Sequence, residues 1–230
     1  CHLELHLTPD IVSDPPRGWC NVLVNPANEA LVGTRQPYFP MLNSPPQELM
    51  TSRWCGMEAG PGMFYPMQVV DGRVHALGGK ELHAACQQLP EVEPGVRCPV
   101  GKAVSTPAFN ALLDSFSRIV HTVPPLYAAV GEDREWSKLL NSCYTEALGL
   151  AFTAPDAGMH TSVALPLLGA GARGGPAEQS AAVAAKAVLQ AMARHCEDGE
   201  TDMVVSMAVR CTDLAQVFRS QLEMELQVQK

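Results

Sequence analysis

Thr161-Ser162-Val163-Ala164-Leu165-Pro166-Leu167-Leu168-Gly169-Ala170-Gly171-Ala172-Arg173-Gly174-Gly175-Pro176, followed by an alanine-rich run to His195, decides the fold. Thr161 to Leu165 is a short, mostly apolar run of the kind found in strands covered on both faces. Glycines then crowd a turn, and Pro176 stands at the first-turn position that proline tolerates, so a helix is predicted over 176–195. Strand, tight turn and covering helix are the repeating unit of layered α/β folds. The same rhythm extends in both directions. Downstream, Met203 to Val209 reads as a strand and Leu214 to Val228 as a closing helix. Upstream, His2 to Leu7, Asn21 to Asn25, Lys102 to Ser105 and Arg118 to Val123 read as strands. Val70 to Leu89 reads as a helix in two pieces broken at Gly78-Gly79. Trp136, Leu139, Leu140, Cys143, Tyr144, Ala147, Leu148 and Ala151 recur at the spacing of an amphipathic helix. The alternation predicts an α/β protein, a three-layer α/β/α sandwich with a mixed central sheet, formed by one domain over 1–230.

Composition narrows the function. The 230 residues are 47% apolar and 17% charged, against roughly 25% charged in an average soluble domain, which excludes disorder and coiled coil. Asp and Glu outnumber Lys and Arg by 24 to 16, for a net charge of −8. A protein that grips extended nucleic acid through side-chain charge leans the other way, so no such partner is expected. No apolar run approaches the roughly 18 residues that cross a bilayer, and no membrane partner is expected. The first residues show no signal-peptide pattern, and the expected location is cytoplasmic or nuclear. Eight scattered cysteines, without a C-x-x-C pair or zinc-finger spacing, read as free thiols in a reducing compartment. No metal and no cofactor is expected, and the absence of G-x-S-x-G leaves serine-triad hydrolysis without support.

One stretch breaks the rhythm. Residues 34–69 hold six prolines, five of thirteen aromatics and half of the ten methionines, but only four charges. Loops longer than about 12 to 15 residues are usually functional or disordered, and this one is too apolar for a solvated linker. It reads as an insertion that packs on its own domain, a lid, or a surface for a protein partner.

Three sites carry chemistry. In Gly169 to Gly174 the backbone can approach a ligand closely, and the following helix presents unpaired N–H groups and the positive end of its dipole, a way to hold phosphate without a basic patch. The text also matches G-x-G-x-x-G, so a dinucleotide-dependent oxidoreductase is an alternative. Against it, the motif starts at residue 169 and only one strand follows, where the doubly wound fold needs several. In Asn21 to Gly33 a buried strand ends in Asn25 and Asn28, whose amides suit the vicinal hydroxyls of a ribose, or form a plain turn. In Val70 to Gly79, Asp71 sits at a helix start, where N-capping is the ordinary role.

Taken in order, these sites resemble the macrodomain family of ADP-ribose-binding modules. The pattern V-N-A-A-N-x-x-L-x-G is matched by Val24-Asn25-Pro26-Ala27-Asn28-Glu29-Ala30-Leu31-Val32-Gly33, and V-D-G-A-I-H-x-A-A-G by Val70 to Gly79. C-P-x-G-x-A is similar to Cys98 to Ala103, I-H-T-V-G-P to the segment from Ile119 to Pro125, and C-Y to Cys143-Tyr144. The final loop matches Leu165 through Pro176, and Pro9-Asp10-Ile11-Val12 looks like G-D-I-T.

The resemblance implies an ADP-ribose site and, in the hydrolytic MacroD-type branch, cleavage of ADP-ribosyl esters, from mono-ADP-ribosyl-protein or O-acetyl-ADP-ribose. Asp10 would accept from the adenine amino group, with Ile11 beside it. Asn28 would face the distal ribose and Asn25 tie down its loop. Val70, Asp71 and Gly72 would line the reacting ribose, with Asp71 positioning or activating water. Gly169, Ala170, Gly171, Ala172, Arg173 and Gly174 would wrap the diphosphate. Asp71 and Asn28 are thus the catalytic candidates. Where the family has an aromatic packed on the distal ribose, this chain has Arg173, expected to stack on the sugar, pair with a phosphate, or swing into solvent. Arg210 stands where an adenine-stacking aromatic often lies. The family's glycine run before V-D-G is replaced by the insertion. A non-catalytic reader of ADP-ribosylated proteins is therefore the alternative. His75 and His121 read as packed, hydrogen-bonded core histidines.

Overall fold

The computed structural model describes residues 1–35, 66–153, 160–196 and 202–228. Six strands, β1 (His2–Leu7), β2 (Cys20–Pro26), β3 (Ala103–Pro107), β4 (Phe116–Thr122), β5 (His160–Pro166) and β6 (Asp202–Val209), form one sheet. The order is β1-β6-β5-β2-β4-β3. Every neighbouring pair is parallel except β3 with β4, so the sheet is mixed as expected.

Five helices cover it: α1 (Val70–Gln88), α2 (Tyr127–Val130), α3 (Asp133–Phe152), α4 (Ala177–Cys196) and α5 (Thr212–Val228). The alternation of side chains along each strand divides the core into two layers. Val22 and Val24 of β2 and Val120 of β4 join Trp136, Leu140, Tyr144, Val188 and Phe218 on the face of α3, α4 and α5. Leu23 and Ile119, one residue out of phase, join Val74, Leu82, Cys86 and Leu112 on the face of α1. The apolar stripe of α3 lies inward, with Trp136, Leu140, Cys143, Tyr144, Ala147, Leu148 and Ala151 all fully buried.

Helix α1 is broken where its paired glycines stand. Gly79 leaves helical geometry at φ 64°, ψ −153°. The carbonyl of Gly78, which the kink removes from the helical ladder, accepts from Asn110 Nδ2 at 2.9 Å. Helix α5 begins two residues before the expected Leu214, because Thr212 and Asp213 complete its first turn. The single turn α2 was not anticipated, since four residues carry too little periodicity to be seen. Of the expected free thiols, Cys20, Cys86, Cys98, Cys143 and Cys211 are free. Cys1 is disulfide-bonded, which corrects the reading for that residue.

The glycine-rich turn after β5 rests on α3. Leu168 donates its N–H to Tyr144 Oη at 2.7 Å. The Trp136 indole, edge-on to Tyr127 and donating to the Pro125 carbonyl at 3.2 Å, forms the floor. A Cβ at Gly175 would stand 2.3 Å from Trp136 Cζ2, so only glycine lets the turn lie on the ring. Trp136→Ala removes this floor and opens a large cavity. It is expected to cost about 3 to 5 kcal/mol of stability, read as a lowered urea midpoint with an unchanged slope.

Candidate functional site

In parallel sheets, ligands gather at the carboxyl ends of the strands. Here that edge brings together the segment after β1 (Thr8 to Asp14), the end of β2 (Asn25 to Asn28), the glycine-rich turn after β5, Arg210 after β6, and the first turn of α1. The strands position these groups through their register: Leu7 lies beside Val209 and Asn25 beside His121.

Asp71 sits in the first turn of α1, and its side chain is only 4% exposed. It is not the N-cap: Val69 holds that place and no side chain caps the helix. Instead Asp71 Oδ1 accepts from Asn25 Nδ2 at 2.9 Å and Oδ2 from Thr34 Oγ1 at 2.9 Å. The adjacent helix N-terminus favours its negative charge. His75, one turn along, brings Nε2 to 3.6 Å from Asp71 Oδ1.

Asn25 is fully buried, and its role exceeds tying down a loop. Asp71 can only accept, so the amide must turn its NH2 toward it. The same nitrogen lies 3.1 Å from His121 Nδ1, which therefore accepts, leaving the proton on Nε2 to be donated to Thr106 Oγ1 at 3.0 Å. Burial pushes His121 down to about 3, with His75 adding to the effect, so it stays neutral. Burial also lowers His75, against the pull of Asp71. His121 is the packed, hydrogen-bonded core histidine expected, whereas His75 packs beside it with a buried Nε2 that has no hydrogen-bond partner among the described residues, which corrects the reading for that residue. Cys86 Sγ closes the group 3.8 Å from His121 Nε2, and burial raises this thiol to about 12.

The remaining candidates divide. Asn28 is half-buried and its Oδ1 accepts from Val32 N–H at 3.3 Å, which leaves the amide NH2 to donate. Asp10 lies at the same edge, and Ile11 beside it turns its side chain into the α1-side core, 3% exposed. Val70 packs partly against the same core. Gly72 answers to a neighbour: a Cβ there would stand 2.0 Å from the Pro66 carbonyl oxygen. In the glycine-rich turn, Gly174 N–H bonds to the Gly171 carbonyl and Gly175 N–H to that of Gly169, both at 2.9 Å. Gly174 is thereby withdrawn as a phosphate donor, and the amides of Ala170, Gly171 and Ala172 are the ones at hand.

Arg173 is half-buried rather than swung into solvent. Its Nη2 donates to the Ala27 carbonyl at 2.5 Å and links the two loops that flank the edge. Arg210 is exposed at the bend between β6 and α5. The expected insertion over 34–69, with its lid and partner-surface readings, lies for residues 36–65 outside the described residues. Sequence reasoning missed Thr34, Thr106 and Arg73. Thr34 and Thr106 are single hydroxyls with no pattern around them, and Arg73 looks like any solvated first-turn side chain.

A three-layer sandwich with phosphate-competent loops on one sheet edge is a nucleotide-site architecture, though not the dinucleotide fold, because β6 alone follows the glycine turn. The sequence profile described as Macro domain matches residues 59–184, and the chain belongs to that family. It is 39% identical over 115 residues to a Macro domain-containing protein of Xanthomonas campestris, covering 50% of this chain and 59% of the relative. It is 33% identical over 141 residues to a protein of Citrobacter koseri named O-acetyl-ADP-ribose deacetylase, covering 57% of this chain and 73% of the relative. Among solved structures, a Trypanosoma brucei macrodomain in complex with ADP-ribose shares the fold. That match has a TM-score of 0.60 and 19% identity and covers 95% of this chain and 68% of the other.

The neutral buried histidines make stability pH-dependent. The ordinary histidine value is 6.5, so below it the unfolded chain takes up protons that the folded chain refuses. The stability present above pH 6.5 is then lost as pH falls toward the depressed folded value of about 3. His121 alone contributes a slope of up to about 1.4 kcal/mol per pH unit. Urea denaturation at about pH 7 and about pH 5 is expected to show the loss, and equal midpoints would contradict it.

Proposed function

We propose that this chain binds ADP-ribose along the carboxyl edge of the sheet and hydrolyses ADP-ribosyl esters, either O-acetyl-ADP-ribose or mono-ADP-ribosyl-protein. One observation carries the reading: Asp71, inside the first turn of α1, is held in a fixed orientation by Asn25 at the end of β2 and by Thr34 in the segment that follows. An ionised carboxylate has about four acceptor positions, so after these two bonds each oxygen keeps room for a water. Asp71 takes the proton from that water as its oxygen bonds to the ester carbonyl carbon, and the proton returns to the ribose oxygen as the C–O bond to it breaks, the general-base role. The NH2 of Asn28 donates to a hydroxyl of the distal ribose. The amides of Ala170, Gly171 and Ala172 take the diphosphate beside the start of α4, which is how a chain of net charge −8 can hold a dianion. The Citrobacter koseri relative, named as a deacetylase, supports the same chemistry.

A non-catalytic reader is the second reading, favoured because both Asp71 oxygens already have protein partners. Release of ADP-ribose from a mono-ADP-ribosylated protein separates the two. Asp71→Ala is expected to keep ADP-ribose affinity within about tenfold while release falls by about 100-fold or more, the range of a lost general base. No release by the unmodified chain, with ADP-ribose bound, would leave the reader.

A further inference from the structure

The segment after β1 is tied to the first turn of α1 by an ion pair. Asp10 follows β1, and its Oδ1 accepts from the N–H groups of Val12 at 3.1 Å and Ser13 at 3.3 Å. Its Oδ2 faces Arg73 Nη2 at 2.9 Å. Arg73 rises from the first turn of α1 and also donates to Ser13 Oγ. About a quarter of the Arg73 side chain and a third of the Asp10 side chain are exposed, 26% and 30%, so a ligand can reach both. Arg73 Nε is buried and has no hydrogen-bond partner among the described residues.

A bare carboxylate presents only acceptors and selects a base that offers a donor. A carboxylate paired with a guanidinium presents both kinds of group. A 6-aminopurine can donate its amino group to Asp10 Oδ2, while a 6-oxopurine can accept at its O6 from the guanidinium.

We propose that Arg73 sets the base specificity of the site, and that the Asp10–Arg73 pair admits 6-oxopurine as well as 6-aminopurine nucleotides. This rests on the reading that the edge binds ADP-ribose with its base beside Asp10. Sites built to bond one polar group usually reject a ligand that mismatches it by large factors, so tolerance here is a specific expectation.

The test is calorimetric titration of the full chain with ADP-ribose and with its hypoxanthine analogue, in which a 6-oxo group replaces the 6-amino group. The unmodified chain is expected to bind the two within about threefold of each other. Arg73→Ala is expected to weaken the hypoxanthine analogue at least tenfold relative to ADP-ribose, about 1.4 kcal/mol. Arg73→Lys keeps a cation beside Asp10 but loses the planar fork and should also restore discrimination. Preference for ADP-ribose of tenfold or more by the unmodified chain would overturn the proposal and leave the ADP-ribose reading standing. An unchanged ratio in Arg73→Ala and Arg73→Lys would overturn it as well. Binding of neither ligand would overturn both.

Discussion

The amide of Asn25 is the constraint on which the rest of the site depends. One nitrogen, buried at the end of β2, donates to the Asp71 carboxylate and to His121. These partners come from α1 and β4, so the amide joins three elements at one point. It also fixes their chemical states. Rotated by half a turn, it would face a carbonyl oxygen toward the carboxylate and repel it. With the NH2 in place, His121 accepts on Nδ1, and Thr106 receives its other proton. The other end of the amide, Asn25 Oδ1, is buried without a hydrogen-bond partner among the described residues, a cost of turning the NH2 toward the carboxylate and His121. The outcome is a carboxylate locked at the mouth of the edge, beside a helix N-terminus.

A second device shapes the opposite wall. The turn after β5 needs glycine at 175 because Trp136 lies directly beneath it, and Tyr144 holds the entry to the same turn. Its amides are therefore placed by packing rather than by a bound ligand. Arg173 then links this turn to Ala27, two residues from the Asn25 amide. The glycine-rich turn and the end of β2 are thereby tied to each other. The net negative charge of the chain argues only against long polyanions, since backbone amides and a helix end supply the local positive potential.

Periodicity made the layers legible. Alternation along the strands and the stripe of α3 appear in the sequence as spacings, and the paired glycines of α1 announced its kink. Long-range polar contacts have no such signature. Asn25 and Asp71 are 46 residues apart, and nothing local tells that the asparagine serves the aspartate rather than its own loop. Gly175 read as the last residue of a glycine-rich turn before a helix, yet its immediate reason is an indole contributed by another helix. Ile11 read as a ligand neighbour because it adjoins Asp10, but successive side chains in a turn diverge, and this one enters the core. Arg73 carried no signal at all, since its importance comes from a carboxylate on a different element.

The most direct measurement is the change in backbone amide NMR shifts when unlabelled ADP-ribose is added to isotope-labelled full chain. The account predicts saturable changes concentrated at Asn28, Asp71 and Gly169 to Arg173, with the edges of β3 and the far ends of the strands unmoved. No change at these amides, or changes confined to another face, would contradict it.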